Sequence, residues 1–121
     1  MNWKEIYTHL KQEGFDVYSP GQHHGKCTSP YIVLISNGTE QNRSVQIHSY
    51  DCLLYYPQNR YSEFEDYIES FRTTMADLFP RLILADDEQP HFLDNDVQGY
   101  MTSLLYKTGK VKPRNSYIKG E

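Results

Sequence analysis

Residues 44–56 read SVQIHSYDCLLYY, and residues 62–78 read SEFEDYIESFRTTMADL. These two neighbouring stretches decide the fold class. The first is the longest extended stretch of the chain. Val45 and Ile47 point one way, and Tyr50, Cys52, Leu54 and Tyr56 then keep even spacing, the period of a strand with one buried face. The change of parity near His48 and Ser49 predicts a β-bulge or a sharp bend, and Pro57 ends the strand. In the second stretch Phe64, Tyr67, Ile68, Phe71, Met75 and Leu78 form an apolar stripe at helical spacing. Glu63, Asp66, Glu69, Arg72 and Thr73 occupy the other side. Ser62 and Glu65 match a capping box, and Pro80 closes the helix.

Upstream, Tyr31-Ile32-Val33-Leu34-Ile35 is a continuous apolar run, expected to be a central strand buried on both faces. Asn37-Gly38 follows as a hairpin-turn signal, in a polar loop that extends to Arg43. Residues 19–30, SPGQHHGKCTSP, read as a loop because Pro and Gly interrupt any regular element. Phe15 to Tyr18 alternates as a short strand. Before it, Trp3, Ile6, Tyr7 and Leu10 share one helical face, Asn2 and Glu5 supply a capping box, and Gly14 stops the helix. Downstream, residues 81–84 suit a short strand, 85–96 an acidic loop and 97–106 a last alternating strand. The expected class is α+β, with a mostly antiparallel sheet flanked by two helices in the order α-β-β-β-α-β-β. A single domain is expected over residues 1–107, with a basic, flexible tail over 108–121.

A chain of 121 residues suits one domain and one core. That core is short of aliphatic side chains: the hydrophobic fraction is 38%, and 11 tyrosines supply most of the aromatic rings. Mean hydropathy is −0.73. Tyrosine buries a large ring and keeps a hydroxyl in need of a partner, which suits surfaces covered by another protein. The net charge of −4 argues against sequence-independent nucleic-acid binding, which needs a positive field. The charge is unevenly spread. Asp86, Asp87, Glu88, Asp94 and Asp96 precede Lys107, Lys110, Lys112, Arg114 and Lys119. Such polarity suits head-to-tail contacts between copies. The opening MNWKEIYTHL is charged and amphipathic, so no leader is expected, and no segment has the apolar length of a membrane span. Cys27 and Cys52 are expected to be reduced thiols in a cytoplasm.

No stretch carries a strong catalytic signature. His23, His24 and Cys27 lie close in sequence, but they lack the paired spacing of a zinc site and would need Cys52 or His48 as a further ligand. A Cys–His nucleophile would pair Cys27 with His23 or His24, or Cys52 with His48. Cys52 sits mid-strand in an apolar stripe and reads as core. Asp94-Asn95-Asp96 resembles the start of a calcium loop, but Leu105 stands where the bidentate glutamate belongs. Phosphate-binding glycine loops and nucleophile elbows are missing. The expectation is therefore a non-enzymatic chain without a cofactor or metal.

Four segments carry a resemblance that spans nearly the whole chain. They are the short N-terminal helix ending at Gly14 and leading into Phe15-Asp16-Val17-Tyr18; Cys27-Thr28-Ser29-Pro30 opening onto Tyr31-Ile32-Val33-Leu34; the long strand ending Leu54-Tyr55-Tyr56-Pro57, followed by Arg60-Tyr61-Ser62 and the helix from Phe64 to Leu78; and Asp96 to Ser103 before a basic end. In element order and length the chain resembles the tail terminator, or tail completion, proteins of long-tailed bacteriophages and prophages. That resemblance implies a structural virion protein, assembled in the host cytoplasm. It implies a hexameric ring on the head-proximal end of the tail tube, which stops tube polymerisation and meets the neck or connector. DNA would pass through its lumen without specific binding. On that reading Asp86, Asp87 and Glu88 face the lumen or a neighbouring subunit. Tyr55 and Tyr56 are interface candidates, and Lys110, Lys112 and Arg114 pair with acidic surface on the next subunit or the tube. A head-closure protein of the neck, or a cytoplasmic adaptor offering its tyrosines to a peptide, is the alternative.

Overall fold

The computed structural model describes residues 1–42 and 45–111. Helix α1 (Trp3–Gln12) leads to the short strand β1 (Val17–Tyr18), and the long strands β2 (Tyr31–Asn42) and β3 (Val45–Pro57) follow. A 3-10 turn (Tyr61–Glu63) runs into α2 (Phe64–Ala76). Strands β4 (Ile83–Asp86), β5 (Phe92–Asp94) and β6 (Gly99–Val111) complete the chain. The architecture is the expected α+β order, with one additional short strand, β5, inside the acidic segment.

One sheet holds every strand, in the order β1-β2-β3-β6-β4, with β5 beside β4 on the same edge of β6. All pairings are antiparallel except β1 with β2. Ile32, Leu54 and Thr102 form one cross-strand row, and Leu34, Cys52 and Leu104 form the next. These side chains are buried beneath both helices, packed with Ile6 and Leu10 of α1 and Phe64, Ile68, Phe71 and Met75 of α2. Burying one large aliphatic or aromatic side chain contributes roughly 1.5–3 kcal/mol, so these rows carry most of the stability. The helices are also pinned by polar contacts. Trp3 Nε1 donates to the Leu34 carbonyl at 2.7 Å, and His9 Nε2 donates to the Thr74 carbonyl at 2.9 Å. The Asn2–Glu5 capping box is formed, and Gly14 has a positive φ of 93° just past the end of α1.

Several expectations need correction. β2 is not a central strand buried on both faces: only Val17 and Tyr18 pair along its outer side, and Val33 and Ile35 are only partly buried. Asn37-Gly38 is not the hairpin turn, because β2 continues to Asn42. The register instead shifts between Ser36 and Thr39, opposite the Tyr50–His48 step of β3. The bulge therefore lies where the parity of β3 breaks, but on the partner strand, where Gly38 at φ 89° accepts the left-handed backbone. The Ser62–Glu65 capping box does not form. Ser62 lies inside the 3-10 turn, and α2 continues from Glu63 without a side-chain cap. Glu63 is engaged by Arg60 at 3.0 Å and by the Tyr56 hydroxyl at 3.0 Å. Finally, residues 108–111, expected in the tail, belong to β6: Thr108 to Val111 pair with His48 to Val45.

The 19–30 loop closes one end of the sheet. The Cys27 N–H donates to the Val97 carbonyl at 2.6 Å, tying this loop to the approach to β6. Gly99 makes room for it. A Cβ at position 99 would stand 2.8 Å from Cys27 Cβ and 3.1 Å from the Tyr56 carbonyl oxygen. Gly99→Ala is therefore expected to cost about 1–3 kcal/mol through overpacking, read as a lower urea midpoint at unchanged slope.

Candidate surface for assembly

The face of the sheet opposite the helices has its own cross-strand rows. Val33, Leu53 and Ser103 form one, and Ile35, Asp51 and Leu105 form the next. Toward the 19–30 loop, Tyr31, Tyr55, Met101 and Phe92 make a third. Alternation along the strands dictates this arrangement, since the even-numbered neighbours on β3 and β6 fill the core. The loop covers only the end of this face. His23 stacks on Tyr31 with ring centroids 3.7 Å apart, and Tyr31 stacks on Tyr55 at 4.7 Å. Beyond that stack the rows lie open, bordered by Phe92 and Ile83, which are 53% and 51% exposed. Contiguous apolar surface of this kind marks an interaction site more often than an isolated exposed side chain does.

Near the centre of this face, Asn37, Asp51, Asp86, Gln89, Ser103 and Leu105 line one depression of about 320 Å³. Residues of β2, β3, β6, β4 and the segment after it thus share one hollow. Asp51 is partly buried there, and among the described residues no cation pairs with it. Burial, reinforced by the nearby Asp86 carboxylate, raises its pKa above the ordinary aspartate value.

The segment after β4 is strapped down on its other side. Arg72 of α2 pairs with Asp87 and, at 3.4 Å, with Glu88. His91 pairs with Glu88 through Nε2 and is hydrogen-bonded to the Tyr61 hydroxyl through Nδ1 at 2.8 Å. The Gln89 N–H donates to the Ser103 carbonyl at 3.0 Å, and the Thr102 hydroxyl donates to the Gln89 carbonyl at 2.6 Å. The Glu88 N–H, followed by Arg72, holds the Asp87 carboxyl below its usual pKa.

The expected site residues therefore separate. Asp86 faces the hollow with Asp51, whereas Asp87 and Glu88 turn to Arg72. Tyr55 lies on the open face. Tyr56 is corrected as an interface candidate: it is a core residue, only 7% exposed, with its hydroxyl on Glu63. Lys110 lies in β6 opposite Gln46, and Lys112 and Arg114 lie outside the described residues. Asp51, the carboxylate at the centre of the hollow, was missed by the sequence reading. Its signal was a lone charge at an odd position within an apolar strand.

Among the described residues, no three His, Cys, Asp or Glu side chains are grouped as metal ligands, and no helix is long and apolar enough to cross a membrane. Both cysteines are free and buried. His23 is stacked on Tyr31, and the Cys27 thiol donates to the Ser29 carbonyl at 3.4 Å. Burial pushes Cys27 up to about 11 and raises Cys52 further. No family model matches the chain, and no curated protein matches it.

Two outcomes follow. In the native protein at pH 8, both thiols should react with an aromatic disulfide reagent far more slowly than a free cysteine, and both should react fully in denaturant. Arg72→Gln should release the strap: the Gln89 amide should lose roughly tenfold protection from hydrogen exchange, while amides of β3 keep theirs.

Proposed function

We propose that this chain is a structural assembly protein that closes into a ring on the head-proximal end of a bacteriophage tail tube, ending tube growth and presenting a surface to the neck. The observation that carries this reading is the one-sided sheet. Both helices pack on one face, and the other presents aliphatic and aromatic rows around a carboxylate pair. A chain built this way has an unmatched face to cover. Its two sheet edges also differ, one with β1 and the free side of β2, the other with β4 and β5. Unlike edges favour head-to-tail contacts, and head-to-tail contacts form rings when their rotation closes.

The charges fit the same role. Of Asp86, Asp87 and Glu88, only Asp87 and Glu88 pair with a guanidinium, that of Arg72, so the strap stays net negative. In a ring with that strap toward the lumen, the phosphate backbone of passing DNA is repelled and not held. Asp86, which lines the hollow, serves the neighbouring subunit. The tail tube protein and a neck protein are the partners this role requires, and no catalytic step is involved.

Light scattering over a range of concentration and salt tests the ring, and incubation with purified tail tubes tests the cap. The expected results are a species near six times the 14.3 kDa of one chain, in solution or on the tube, and density at one tube end only. A chain that stays monomeric and leaves tube ends bare would overturn the reading in favour of an adaptor.

A further inference from the structure

We infer that the hollow around Asp51 and Asp86 is the receptor for the C-terminal segment of a neighbouring copy, with the guanidinium of Arg114 between the two carboxylates and Ile118 on the Tyr55–Met101–Phe92 row. The inference rests on the ring reading, because it supplies that ring with a subunit-to-subunit tie.

Charge is the first argument. Residues 112–121, KPRNSYIKGE, hold Lys112, Arg114 and Lys119 against the single carboxylate side chain of Glu121. The hollow holds Asp51 and Asp86, with Asn37, Gln89 and Ser103 also on its walls. A planar guanidinium matches a carboxylate pair better than an ammonium does, because it donates in a fixed fork. Placing a cation there also offsets the burial and the nearby Asp86 charge that disfavour the Asp51 carboxylate.

Reach is the second argument, and it favours the neighbour over the same chain. Asp51 pairs with Leu105, whereas β6 runs on to Val111. At about 3.3 Å per residue the hollow lies roughly 20 Å back from the end of β6. Arg114, three residues beyond Val111, has a backbone reach of only about 10 Å, so its own hollow is within range only if the chain reverses at once and both backbone and side chain are fully extended. The same segment from an adjoining copy has no such restriction.

Spacing is the third argument. From Asp51 to Tyr55 along β3 is four residues, and so is the step from Arg114 to Ile118. Both pairs fall on one side of an extended chain, about 13 Å apart. An extended tail lying along the strands therefore sets its charge on the hollow and its aliphatic side chain on the exposed aromatic row together.

The test is a titration of the full chain with a fluorescent peptide of residues 111–121, followed by anisotropy. Saturable binding is expected. It should weaken at least tenfold for the chain carrying Asp51→Asn and Asp86→Asn, for a peptide carrying Arg114→Glu, and on raising salt. The Arg114→Glu peptide should regain affinity for a chain carrying Asp51→Lys. The peptide variant leaves the fold of the receptor untouched, so its loss of binding cannot be an unfolding effect. No saturable binding, or binding indifferent to both carboxylates and to Arg114, overturns the inference. Tube capping without peptide binding would remove this site and leave the ring reading standing. Peptide binding without capping would do the reverse.

Discussion

The thirteen-residue antiparallel register between β3 and β6 is the constraint on which everything else hangs. It is unbroken from Val45 with Val111 to Pro57 with Gly99. β2 attaches to one side of this spine, and β4 and β5 attach to the other. A one-residue slip of β3 would exchange Cys52 and Leu54 for Asp51 and Leu53 beneath the helices. That exchange would bury a carboxylate in the core, so the same alternation that builds the core also sets Asp51 on the open face.

The two faces are built by different rules. Under the helices the side chains are mostly aliphatic or aromatic; the Thr102 hydroxyl is paired with Gln89 and the Tyr56 hydroxyl with Glu63, whereas the buried Tyr67 hydroxyl has no partner among the described residues. The open face mixes Val33, Leu53 and Leu105 with Ser103 and with Asp51, which has no cation partner among the described residues. A face with both apolar area and an unneutralised charge specifies its cover more narrowly than an apolar face alone, since a partner must supply shape and a cation together. The strap after β4 stands between these two worlds. Its Asp87 and Glu88 bind α2, and its Asp86 looks across the sheet.

Strong local periodicity made the helices legible in the sequence. The stripe from Phe64 to Leu78 and the Asn2–Glu5 box have the positions they announced. The alternation of Tyr50, Cys52, Leu54 and Tyr56 likewise identified the buried face of β3. What escaped was long-range pairing. Ser62 looked like a cap because cap chemistry is local, yet Glu63 was already held by Arg60 and Tyr56. Asn37-Gly38 looked like a turn because a positive φ suits turns and bulges equally, and only the register with β3 separates them. β5 is only three residues long, Phe92–Asp94, too short to show a period. The candidate surface was only half visible. The acidic run stood out, but its division between Arg72 and the hollow depends on where β4 lies against β6, and Asp51 was hidden among hydrophobic neighbours.

The position of β6 in the chain has a consequence for how the molecule comes into being. β3 is complete long before its main partner is made, and the whole of α2, β4 and β5 lies between them. Contacts of such wide sequence separation lose much loop entropy before they return any stability, which places folding in the slower range for domains of this size. Until β6 emerges, the hairpin of β2 and β3 has an unfilled edge in its middle, the kind of template on which strands from other chains collect. The β2–β3 hairpin is therefore the part of the sheet that waits longest for its neighbour during synthesis.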